Sequence, residues 1–154
     1  MRQKPLISIV LTYYKKRKYV WRTLQSILLQ NYKNFELIFV YDDGDLKDYK
    51  YIKKILIKFK KKKVLFNKKN LGVSQSRNKA LEICKGKFIA FIDADDIWIK
   101  SKLSKQQKIM QKNLLNFSFT SYNVINNNNK LINKRFVNKD PTYVSLQKKK
   151  YYWP

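Results

Sequence analysis

One stretch restricts this chain more than any other. Phe88-Ile89-Ala90-Phe91-Ile92 runs directly into Asp93-Ala94-Asp95-Asp96. A run that apolar and that short reads as a strand buried on both faces, as in parallel sheets. Open α/β sheets bind ligands at the carboxyl ends of their strands. Asp93, Asp95 and Asp96 are therefore expected at a ligand crevice. Three carboxylates within four residues repel one another unless a cation joins them. A hard divalent ion with oxygen ligands, Mn²⁺ or Mg²⁺, suits that need. The competing reading is a solvated acidic turn that also caps the helix after Trp98.

The rest of the chain supplies the sheet. Short β-rich runs over residues 6–11, 35–41 and 64–66 predict three more strands. Apolar residues at helical spacing predict helices over 20–29, 52–59, 73–84 and 103–115. Gly86 falls where a helix-ending glycine belongs. Alternation over 117–122 predicts a strand with one wet face, and 130–137 its hairpin return. The β-α-β-α-β-α-β order implies right-handed crossovers and a mainly parallel sheet. A second acidic cluster, Asp42-Asp43-Gly44-Asp45, then lies at the end of the second strand. The two clusters hold six of the 10 acidic residues, so the acid is concentrated where a ligand would sit.

The chain has 154 residues, enough for one domain with a core. Its net charge of +25 suits anionic partners such as nucleotides, nucleic acid or an anionic membrane surface. The alternative is a compositional bias that leaves lysines as plain solvated surface. The sequence has no histidine, which excludes His-based metal sites and Ser-His-Asp or Cys-His catalysis. Cys84 is the only cysteine, so an intrachain disulfide is excluded, in keeping with a reducing compartment. Three glycines, Gly44, Gly72 and Gly86, allow neither a dinucleotide fingerprint nor a Walker loop. No signal-peptide pattern and no membrane-length apolar run occur. The expected location is the cytoplasm, with room for peripheral contact at the inner face of the membrane.

Four segments in order resemble the family 2 glycosyltransferases. They are Ser8-Ile9-Val10-Leu11-Thr12 followed by Tyr13 or Tyr14, the strand over 35–40 leading to the paired Asp42-Asp43, Asn70-Leu71-Gly72-Val73-Ser74-Gln75-Ser76-Arg77-Asn78, and Asp93-Ala94-Asp95-Asp96-Ile97-Trp98. The likeness implies the GT-A fold, a Rossmann-like three-layer α/β/α domain with a mainly parallel central sheet. It implies a nucleoside-diphosphate sugar as donor, a UDP-sugar by expectation, and a glycan or lipid-linked acceptor. Thr12 and Asp42 would read the base, with Asp43 beside Asp42 as the alternative match. Tyr14 would pack on the base or on the core. Arg77 would sit near the base or diphosphate, or else face solvent from its helix. Asp93 and Asp95 would hold Mn²⁺ or Mg²⁺, and Asp96 would ligate too or cap the next helix. Cys84 and Trp98 are assigned to packing. One departure is a basic residue where the family has Asn after the first Tyr.

The resemblance places a donor-binding half over about residues 6–122, with 123–154 as the start of an incomplete acceptor part of a single domain. Inverting members use a further carboxylate as base, but Asp140 is the only acidic residue after Asp96. It sits in a connection before Pro141, so no catalytic base is assigned. The expectation is a truncated or remnant enzyme with little activity alone. The reading set against it is a basic protein that binds nucleic acid or an anionic surface without catalysis; specific nucleic-acid binding is not expected.

Overall fold

The structure, a computed structural model, describes residues 4–136. Two compact units divide after Ile109. The first carries β1 (Ile7–Tyr13), α1 (Arg17–Leu28), β2 (Phe35–Tyr41), α2 (Lys47–Leu56), β3 (Lys62–Phe66), α3 (Val73–Leu81) and β4 (Phe88–Asp93), and α4 (Lys102–Lys112) runs across the division. The second holds the hairpin β5 (Tyr122–Ile125) and β6 (Leu131–Arg135).

The four strands of the first unit pair in parallel in the order β3-β2-β1-β4. Strand alternation sends Ile9, Leu11, Tyr13, Leu37, Phe39, Tyr41 and Ile92 to one face. There they join Val20, Leu24 and Ile27 of α1 and Ile52, Ile55 and Leu56 of α2 in the main core. Val10, Ile38 and Val40 point to the other face and pack with Ala80 of α3. Helix, sheet and helix make three layers, as the sequence predicts. Chain order runs outward from β1 to β2 to β3, then returns to place β4 on the far side of β1. The crevice between β1 and β4 is thus the point where strand order reverses.

Four expectations from the sequence are corrected. First, β4 is not buried on both faces: Ile89 and Phe91 are each 44% exposed. It is an edge strand, and α3 lies over β1 and β2 on that face instead. Second, α3 stops at Leu81 and not at Cys84, because Ile83 N–H and Cys84 N–H bond three residues back to Ala80 and Leu81 and tighten the last turn. Third, Gly86 does not end that helix. A Cβ there would stand 2.4 Å from the Ser8 nitrogen, so glycine lets two backbones meet. Its N–H donates to Ser8 Oγ at 2.8 Å, while Ser8 Oγ and Lys85 N–H donate to the buried Glu36 carboxylate at 2.6 and 2.7 Å. Fourth, residues 117–121 are not a strand; β5 begins only at Tyr122. The alternation brings Phe117 and Phe119 to one side, where they stack on each other at 6.0 Å, while β6 pairs only with Tyr122–Ile125. Val137, the last residue of the expected return strand, lies outside the described residues.

The Gly86 contact yields a first expected result. Gly86→Ala forces the β4 entry away from β1 and should cost about 1–3 kcal/mol, the usual range for overpacking. Urea unfolding measures it, and a cost below roughly 0.5 kcal/mol would show that the two backbones part freely.

Candidate functional site

Four strand ends build the site. Thr12 is one residue from the end of β1 and lies directly opposite Asp93 of β4 in the parallel register. Asp42 follows the last residue of β2, and Asn67 the last residue of β3. The family-like residues therefore meet along one edge of the sheet. Thr12 is half-buried, whereas Tyr13 beside it is fully buried and stacks on Phe39 and Tyr41 at 6.1 and 5.1 Å. Its hydroxyl donates to Asp48 at 2.5 Å, and burial together with that carboxylate pushes the phenol well above its ordinary range. Tyr14 is 41% exposed with the Lys15 ammonium 5.1 Å from its ring centre, so of the two tyrosines it is the one a ligand can reach.

Asp42 is 2% exposed, and both its carboxylate oxygens are in use. Oδ1 accepts from the Asn67 side-chain amide and from Leu71 N–H, each at 2.8 Å, and Oδ2 accepts from Gly72 N–H at 3.0 Å. The Asn70 side chain donates to the Asp42 carbonyl at 3.3 Å. Gly72 takes φ +83°, a backbone that suits glycine, and turns the chain into α3. Asp42 thus ties the loop before α3 to the end of β2. Oδ2 carries one donor and keeps a lone pair for another. Asp43 is half-buried and accepts from Asp45 N–H at 3.2 Å, a local turn contact.

The loop so held sets α3 in place, and α3 presents Arg77. The Arg77 guanidinium donates to Asp93 Oδ1 at 2.7 Å and lies 5.1 Å from the Phe91 ring centre. Arg77 is therefore tied to the acidic turn at the end of β4 and not turned to solvent. Asp95 is engaged too: its Oδ2 lies 2.8 Å from Lys16 Nζ. The hydrogen bond and charge of Asp95 hold the Lys16 ammonium above its ordinary pKa. Asp96 N–H closes the acidic turn onto the Asp93 carbonyl at 3.1 Å. Burial against the protein, then the charges of Asp93 and Asp95, push the Asp96 carboxyl up. Burial pushes nearby Lys102 down, with Asp96 opposing.

The acidic turn is fixed from behind. Thr23 Oγ1 donates to the Ala94 carbonyl at 2.9 Å, and Ser26 Oγ accepts from Trp98 N–H at 3.1 Å, both contacts buried. Trp98 belongs to the core, as predicted, with the Lys102 ammonium 5.0 Å from its ring. Cys84 packs beside the second core cluster, its thiol pushed up by burial.

The carboxylates suit a hard ion in their chemistry. Asp93 and Asp95 each spend one oxygen on an internal cation and keep one for a further ligand. Among the described residues, no three acidic or thiol groups gather closely enough to hold an ion by themselves. An ion here would need oxygens from a bound anion to complete its shell.

Sequence reasoning missed Lys16, Asn67 and Asp48. Lys16 was visible only as part of a basic turn. Asn67 directly follows β3, and its buried amide joins Asp42 to Ser76 of α3, a contact that no local pattern marks. Asp48 lies in the first turn of α2, where an acid reads as a dipole partner and gives no hint of Tyr13.

At its strand reversal this parallel α/β unit carries acid, a glycine-turned loop and an arginine held on Asp93. The chain belongs to glycosyl transferase family 2, whose sequence model matches residues 8–153. The Escherichia coli UDP-Glc:α-D-GlcNAc-diphosphoundecaprenol β-1,3-glucosyltransferase WfgD is 36% identical over 143 residues, covering 93% of this chain and 55% of that protein. An uncharacterized glycosyltransferase of Methanocaldococcus jannaschii is 42% identical over 113 residues, 71% of this chain and 39% of that protein. Among solved structures, S. aureus TarS 1-349 in complex with UDP-GlcNAc superposes with a TM-score of 0.62 at 27% identity, covering 69% of this chain and 31% of that one. The mannosyltransferase PcManGT of Pyrobaculum calidifontis shares the fold at TM-score 0.65 and 17% identity, over 71% of this chain and 33% of that one. The fold is thus the GT-A fold of these transferases. The chain spans from 20% to 55% of the length of the first two curated relatives it matches. Among the described residues no helix is long and apolar enough to cross a membrane.

Proposed function

We propose that this chain binds the nucleoside diphosphate of a sugar donor, a UDP-sugar, between β1 and β4, for transfer of the sugar to a glycan or lipid-linked acceptor. One observation carries the reading: the register that sets Thr12 opposite Asp93, with the Asp42-tied loop alongside. Support comes from relatives. WfgD is named for a UDP-Glc donor and a diphosphoundecaprenol-linked acceptor, and TarS was solved with UDP-GlcNAc.

In this reading Thr12 offers a hydroxyl to one edge of the base, and the remaining lone pair of Asp42 Oδ2 accepts from the ring N–H. Asp43 is the second choice, being nearer the surface. Tyr14 offers a ring to the base from the exposed side. Arg77 stands at the diphosphate end, where it can donate to phosphate oxygens from its seat on Asp93. Asp93 and Asp95, with Asp96 beside them, would hold Mn²⁺ or Mg²⁺, which when bound neutralises the departing diphosphate. The donor-binding half extends in this proposal to about residue 122. The lysine-rich surface favours peripheral contact with an anionic membrane face over any specific nucleic-acid role.

Calorimetric titration of UDP with and without Mn²⁺ tests the proposal. Uracil-nucleotide binding is expected with Mn²⁺ and should disappear with EDTA. Equal binding in EDTA would remove the metal role of Asp93 and Asp95, and no binding in either condition would remove the proposal.

A further inference from the structure

We propose that Lys16 is a built-in rival of the divalent metal. It holds Asp95 while the site is empty of nucleotide and releases it when a diphosphate arrives to take the ammonium. The inference rests on the nucleotide-sugar reading above and adds a residue and an order of events to it.

The pairing is a product of the scaffold. The Lys16 carbonyl accepts from Tyr19 N–H at 2.9 Å and Val20 N–H at 3.0 Å, so its backbone is fixed as the start of α1. α1 is joined to the acidic turn by the buried Thr23–Ala94 and Ser26–Trp98 hydrogen bonds. Lys16 and Asp95 thus grow from two ends of one rigid unit and meet at 2.8 Å. Asp93 is answered in the same way by Arg77 at 2.7 Å. Asp93 and Asp95 each meet a cation, and both pairs are neutral without any metal. A divalent ion entering a neutral cluster gains little unless one cation leaves.

Lys16 is the cation able to leave. Its side chain is 47% exposed on a flexible four-carbon stem, against 28% for Arg77, which also covers Phe91. A nucleoside diphosphate supplies the negative charge that draws the ammonium away. Asp95 then has both oxygens for the metal. Metal and nucleotide must in consequence bind with mutual assistance, since each removes an obstacle to the other, and the coupling is the same in either order.

The test is Mn²⁺ titration of the full 154-residue chain, followed by the EPR signal of free Mn²⁺, first alone and then with UDP. Lys16→Gln should tighten Mn²⁺ binding without UDP about fivefold, the scale of one half-exposed ion pair. The gain in Mn²⁺ affinity on adding UDP should shrink by at least that factor. Lys16→Arg, which keeps a competing cation, should behave like the parent. Mn²⁺ affinity in Lys16→Gln no greater than in the parent would overturn the inference while leaving UDP binding intact. Absence of both Mn²⁺ and UDP binding in the parent would instead overturn the functional reading beneath it.

Discussion

Asp42→Ala is expected to lower the melting temperature by roughly 10–15 °C and to abolish nucleotide binding at temperatures where the variant is still folded. The buried carboxylate accepts from the Asn67 amide and from the N–H groups of Leu71 and Gly72. Removing it leaves three donors facing an apolar side chain, each costing about 1–3 kcal/mol if unanswered. The losses overlap, because one water or one loop shift can answer two of them, so about 3–5 kcal/mol in all is the reasonable sum. That is a large share of the ordinary stability of a domain, about 5–15 kcal/mol. At about 2–4 °C per kcal/mol for a chain of this size, the shift in melting is easily read. The loop that Asp42 ties also sets α3, and α3 carries Arg77, so the damage reaches Asp93 as well. Asp43→Ala is the control. Its carboxylate accepts from one turn amide, and melting should stay within roughly 3 °C of the parent. Asp42→Ala melting as high as Asp43→Ala would mean that the loop is held by other contacts, and the choice between the two aspartates would be reopened.

That choice shows how far the sequence could be read. The paired acids after β2 were visible as residues at a strand end, and so was their likeness to a family motif. Which of the two turns inward is a matter of strand alternation. β2 pairs through Tyr41, and the next residue continues the pleat towards Asn67 and α3. The motif Asn70–Asn78 was legible as a loop and helix start, because Gly72 takes a backbone only glycine adopts readily. The burial of β4 was misread for a physical reason. Five apolar residues look the same whether a helix covers both faces or one, and the covering helix α3 is placed by the Asp42 loop, far away in sequence. Gly86 was misread because a close approach to Ser8 leaves no local mark. The Lys16–Asp95 and Arg77–Asp93 pairs were out of reach for the same cause. In a chain with 35 basic residues, nothing local distinguishes the two that meet Asp93 and Asp95.

The 154-residue chain is expected to bind a UDP-sugar in a metal-dependent way yet transfer its sugar slowly, about 10²–10⁴ below a family enzyme with its base in place. In the proposed reading binding draws on Thr12, Asp42, Arg77, Asp93 and Asp95, which lie at the carboxyl ends of β1, β2 and β4 and on α3. Turnover by inversion needs one carboxylate more, set across the sugar from the diphosphate to take the acceptor proton. The acids of the crevice are already committed: Asp42 to its loop, Asp93 to Arg77, Asp95 to Lys16. In the proposed reading Asp96 stands beside Asp93 and Asp95 at the metal and diphosphate, not across the sugar from them. Beyond it the sequence offers only Asp140, which lies outside the described residues. Binding and turnover should therefore separate in the variants. Asp95→Ala should abolish metal-dependent UDP binding, whereas Asp140→Asn, which lies in none of the four segments that resemble the family, should leave that binding within about twofold of the parent. The measurement is transfer from UDP-sugars to a panel of glycan and lipid-linked acceptors, with donor hydrolysis as background. Robust transfer by this chain would defeat the prediction, and its loss in Asp140→Asn would identify Asp140 as the base.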